Sequence, residues 1–122
     1  MQEVYGIQDE VVPWAALALG GGIARCQDVC GAVTGGSLAV GLSQSLRGLD
    51  HDRSRDEAYE RARSLYRRFQ ERFGAVDCRT LTGHDFSAPE GYTRFRQDRE
   101  ARRRCQEYVT FVVESLAEQE QA

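Results

Sequence analysis

The sequence predicts an all-α fold, a compact bundle of four to five helices. Three observations carry that expectation. Apolar residues recur at helical spacing in two segments. One holds Ala58, Tyr59, Ala62, Leu65, Tyr66, Phe69 and Phe73, and the other Cys105, Tyr108, Val109, Val112, Val113 and Leu116. Helix-start and helix-stop residues bracket those segments. No stretch alternates apolar and polar as a strand would, since the β-branched "TFVVESL" continues a helical stripe begun upstream.

Taken in order, Asp9 is placed to cap a helix through "EVVPWAALAL". Pro13 is tolerated near its first turn, and the triplet Gly20, Gly21 and Gly22 ends it. A second helix is expected over Gln27 to Leu46. Gly48 and the polar run "DHDRSRD" read as the loop that follows. Ser54 and Glu57 form an S-x-x-E capping box for the third helix, which Gly74 stops. Asp77 caps a short turn, "CRTLTG", closed by Gly83. Ser87 and Glu90 repeat the capping spacing, with Pro89 in the first turn. A last helix runs from about Asp98 to Ala117.

These elements fit a single domain over residues 1–122. A chain of this length buries about two-thirds of its unfolded surface, so a core forms without covalent staples. Hydrophobic residues at 41% and charged residues at 29% suit a globular protein rather than a disordered one. The net charge of -3 argues against nucleic acid or an acidic membrane as partner, and "REARRR" reads as a solvated helix face. Glu3 stands where a secretory segment would be basic. The greasiest stretch, Val29 to Leu42, is too short and Gly-rich to span a bilayer. The expectation is a cytoplasmic protein with no membrane insertion, where thiols stay reduced.

Four cysteines then point toward metal or redox chemistry rather than a permanent disulfide framework. Cys26 and Cys30 are at i and i+4. On one helix their Cβ atoms lie about 5–6 Å apart, too far for a disulfide but suited to a shared metal ion. With Cys26 in the loop after the glycines, a disulfide between them becomes feasible again. Cys78 follows Asp77 at a helix start, where free N–H groups and the helix dipole favour thiolate. Cys105 lies on the apolar stripe of the last helix, and a Cys78–Cys105 bond would close a loop worth about 3–4 kcal/mol. No C-x-x-C or C-x-x-C-H run occurs, which removes thioredoxin-type chemistry, a zinc ribbon and covalent haem.

Beside Cys30 the chain is bare: Gly31, Ala32, Gly35, Gly36, Ala39 and Gly41. Each helical glycine costs about 1 kcal/mol relative to alanine, so something offsets them. Gly31 and Gly35 strip one face to backbone, against which either a close helix or a cofactor lies. Of the two histidines, His51 sits in a charged run. His84 reaches the thiols only if "GHDFSAPEG" folds back, as Cys–His catalysis would require.

The motif "CGAVTG", Cys30 to Gly35, follows "LGGGIAR" and precedes "LAVGL". Further on come "FGAVDCRTLTGHDFSAPEG" and a lone Cys105 opening a last helix. Together these resemble the redox-active C_GCAxxG_C_C family of small bacterial and archaeal proteins, over about Tyr5 to Leu116. The resemblance implies redox activity at cysteines, with Cys30, Cys78 and Cys105 matching the three later family cysteines. The first family cysteine has no counterpart here, and Cys26 stands where relatives usually lack one.

The leading expectation is a helical redox protein with Cys30, Cys78 and Cys105 as reactive thiols. Cys26 would join them as a fourth metal ligand, and Gly31 and Gly35 would wall a cofactor. That cofactor would be an iron–sulfur cluster or a thiolate-bound metal passing electrons to a redox partner. Alternatively the thiols cycle between dithiol and disulfide, with Cys78 as nucleophile. The Gly-lined face also invites a homodimer. The contrasting expectation is a non-enzymatic interaction domain whose cysteines serve structure alone.

Overall fold

A computed structural model describes residues 1–121. It is all-α, as the apolar spacing predicts, with seven α-helices and no strand among the described residues. Two short helices, α1 (Gln2–Tyr5) and α2 (Val11–Ala15), and a 3-10 turn (Leu17–Leu19) form an N-terminal arm. The bundle proper is α3 (Gly31–Gln44), α4 (His51–Phe73), α5 (Cys78–Thr82), α6 (Gly91–Gln97) and α7 (Arg99–Gln121).

The core sits where α3, α4 and α7 meet. Val33 and Val40 come from α3, Leu65 and Phe69 from α4, and Tyr108, Val112 and Leu116 from α7. Gly36 lets these helices close. A Cβ built there would lie 2.7 Å from both Leu65 and Val112. Most of the two apolar stripes turns inward as expected. Tyr59 and Val109 do not: they are 62% and 52% exposed, at the outer margins of their helices. Phe69, Phe73, Tyr108 and Phe111 stack edge-to-face and lock α4 on α7. At the far end, the Arg61 guanidinium ties the same three helices by bonds to Ser43, Gln44, Gln119 and Glu120.

Several helix starts differ from expectation. The second helix begins at Gly31, not Gln27, because Gln27 holds a left-handed φ of 61° and cannot enter a right-handed turn. The third begins at His51, capped by the Asp50 carboxylate on the Arg53 N–H, so Ser54 lies inside it. The run "DHDRSRD" is therefore mostly helix rather than loop. Ser87 caps nothing: its N–H and hydroxyl both donate to Asp85, and α6 starts only at Gly91. Asp77, by contrast, caps α5 as expected. Among the described residues, no helix is long and apolar enough to cross a membrane.

Candidate functional site: the thiol cluster

Two stretches of extended backbone build the site. Val29 and Asp77 form an isolated antiparallel bridge. The Cys30 N–H donates to the Val76 carbonyl at 2.7 Å, and the Cys78 N–H donates to the Asp28 carbonyl at 2.8 Å. Cys30 and Cys78 each follow a bridged residue by one position, the parity that puts two residues on the same side of an antiparallel pair. They are diagonal neighbours, a relation that spaces Cα atoms by about 7–8 Å. Each then opens a helix, Cys30 as the N-cap of α3 and Cys78 as the first residue of α5.

Cys105 joins them from α7, packed against the core like Cys30. Tyr108, one turn further on, donates its hydroxyl to the Leu81 carbonyl at 3.1 Å and so holds α5 on α7. The three thiols sense one another. The Cys30 and Cys105 charges both disfavour a Cys78 thiolate, and Cys30 does the same to Cys105.

Burial, however, is the largest influence on all three. It raises Cys30 and Cys105, and together with the neighbouring thiols it pushes Cys78 from 9.0 to about 11. The expected Cys78 thiolate is thereby corrected. Helix α5 has only five residues, too short for a strong dipole, and Cys78 is 8% exposed. All three thiols are protonated near neutrality.

Cys26 stands differently. It is exposed, with its Sγ donating to the Ala24 carbonyl at 4.0 Å. Because α3 starts at Gly31, Cys26 and Cys30 do not share a helix face, and the premise for their joint metal ligation is lost. Among the described residues, no group of three or more His, Cys, Asp or Glu side chains is arranged to hold a metal ion. All four cysteines are free thiols.

The expected cofactor glycines part company too. A Cβ on Gly31 would meet the Leu19 carbonyl oxygen at 3.0 Å, so the 3-10 turn covers that position. Gly35 has open space beside it. His84 turns to a carboxylate: its Nε2 pairs with Asp98 at 2.9 Å, and its ring packs on Phe95.

The residue that sequence reading missed is Gln27. Its side chain is buried at the back of the site. Its Nε2 donates to the His84 carbonyl at 2.6 Å, and its Oε1 accepts from the Phe86 N–H at 2.8 Å. The Gln27 side chain also lowers the Cys78 pKa, which partly offsets the burial. To bring Gln27 there, the chain from Gly21 to Arg25 runs through positive φ, including non-glycine Ile23, Ala24 and Arg25. Such residues cost roughly 1–2 kcal/mol each, and only the Gly-rich triplet hints at the turn. A Cβ on Gly22 would strike the Asp28 backbone at 2.6 Å, so that position needs glycine for space as well as conformation.

A family model described as "Putative redox-active protein (C_GCAxxG_C_C)" matches residues 1–119. No curated protein and no solved structure matches the chain.

Proposed function

The chain belongs to the C_GCAxxG_C_C family, and from that premise we propose that it is a dithiol–disulfide redox protein. Cys30 and Cys78 are the exchanging pair, and Cys105 lies beside them. The observation that supports this reading best is the Val29–Asp77 bridge, which Cys30 and Cys78, from distant parts of the chain, each flank by one residue.

The step balances as follows. A partner's disulfide is attacked by one thiolate of the pair, forming a mixed disulfide and releasing one partner thiolate. The second cysteine attacks its neighbour's sulfur, forms the Cys30–Cys78 bond and releases the other partner thiolate, a closure in which backbone movement shortens the diagonal Cα spacing of about 7–8 Å into the range a disulfide spans. Two electrons and two protons leave the pair, and the partner departs as two thiols.

The raised pKa values set the direction. A reduced pair that gains nothing as thiolate is easily oxidised, whereas a pair with depressed pKa values acts as an oxidant. In this reading the protein is an electron donor, in a compartment such as the cytoplasm that keeps it recharged. Cys78 is buried and Cys30 half-buried, so a partner reaches Cys78 only by a local opening, and the strained 21–27 segment, next to Cys30, is the part best suited to move.

Mass spectrometry tests this directly. The protein is purified without air, its metal content is measured, and it is then treated with a small disulfide and alkylated. The expected product has lost two of its four alkylation sites and two hydrogens, and Cys78→Ser leaves Cys30 alkylated. Four modified thiols after oxidation, or stoichiometric metal held by the cluster, would overturn the dithiol reading.

A further inference from the structure

From Val11 to Leu19 the N-terminal arm is apolar on every side, yet no residue of α2 or the 3-10 turn is buried. A helix that is hydrophobic all round is normally covered all round. Here one side of α2, with Val12, Pro13 and Ala16, forms one wall of a groove of about 1120 Å³. Gly35, Leu38 and Val109 stand among the residues of the opposite wall. The other side of the arm shows water Val11, Trp14 and Leu17, at 68%, 73% and 72% exposure.

We propose that this face binds a second copy of the same chain. Ridge and groove lie on one molecule, side by side. A two-fold axis can therefore set the Val11–Trp14–Leu17 ridge of each copy against the groove of the other, making two identical contacts that close on themselves. The area is sufficient. Trp14, Val11, Leu17, Leu38 and Val109 together present about 500 Å² of apolar side chain. The groove-wall residues other than Leu38 and Val109 add to that, and two such faces clear the ~1,000 Å² of total buried surface a biological interface needs.

The three acids of the groove, Glu3, Asp9 and Glu10, all belong to the arm, while the α3 and α7 wall that would receive the partner's ridge carries no charged residue, the composition of an interface core. A small apolar ligand could fill the groove, but it would leave Trp14 and Leu17 in water. A second copy covers both.

Trp14 is the only tryptophan, so its fluorescence reads the interface alone. Native mass spectrometry and sedimentation are run across a dilution series, with emission recorded in parallel. The expected species has twice the 13.7 kDa chain mass. Its emission shifts to the red as it dissociates. Trp14→Glu and Leu17→Glu should each weaken the dimer at least about thirtyfold. Both positions are exposed, so helicity and thermal stability of the monomer should be unchanged. A single-chain mass at every concentration with fully solvated emission would refute the proposal. So would a co-purified apolar molecule on a monomer, or a dimer indifferent to both substitutions.

Discussion

Gly35→Ala and Gly36→Ala, one residue apart on α3, are expected to move stability in opposite directions. Either change gains about 1 kcal/mol of helix propensity. At Gly35 nothing lies within 4 Å of the new methyl, so that gain stands whole. At Gly36 the methyl arrives 2.7 Å from Leu65 Cδ2 and Val112 Cγ1. Leu65 is 0% exposed and Val112 4%, which leaves neither room to retreat. Overpacking of this kind costs about 1–3 kcal/mol, so the net change runs from about neutral to a loss of 2 kcal/mol. The two variants should therefore differ by about 1–3 kcal/mol. Urea unfolding followed by circular dichroism measures the difference, in reductant and in the Trp14→Glu background so that association does not contribute. The m-value should not change. If Gly36→Ala proves as stable as Gly35→Ala, the close meeting of α3, α4 and α7 is wrong. If Gly35→Ala is the destabilised one, something fills the space beside it.

Three further outcomes follow from the geometry. Folding raises the Cys78 pKa from 9.0 to about 11, so the native state keeps a proton that the unfolded chain releases. Stability should be intact below pH 9 and fall by about 2–3 kcal/mol as pH rises toward 11, with part of that slope absent in Cys78→Ala. Urea titrations at stepped pH measure it. Gln27→Ala strips partners from the Phe86 N–H and the His84 carbonyl and should destabilise by about 2–4 kcal/mol. Gln27→Gly should recover roughly 1 kcal/mol of that, since glycine accepts the left-handed φ, and melting temperatures decide the order. Asp50→Ala should cost about 1 kcal/mol of unfolding free energy while Ser54→Ala costs nothing measurable, because Asp50 is the cap of α4.

The bundle was legible because its long helices obey a 3.6-residue period and end on recognisable residues such as Gly74 and Asp77. Cys78 and Cys105 were legible as candidates through their placement beside Asp77 and on the α7 stripe, and Cys30 through the glycine-rich run that follows it. Their protonation was not, because pKa here is set by burial, which a helix-start rule does not see. Cys26 misled for a local reason. Its i, i+4 spacing to Cys30 has meaning only on a helix, and left-handed backbone at Gln27 delays that helix to Gly31. Gln27 itself carried no signal, since a buried glutamine reads like any polar residue until the 82–86 loop folds over it. The glycine face was half legible: Gly36 packs, Gly35 does not, and only the third dimension separates neighbours one residue apart.

The most direct measurement is an anaerobic redox titration in dithiothreitol buffers, quenched by alkylation and mapped residue by residue. Cys30 and Cys78 should vanish and return together along one two-electron curve, while Cys26 stays alkylated over the same range. Independent titration of Cys30 and Cys78, or a pairing of either with Cys26 instead, would contradict the account at its centre.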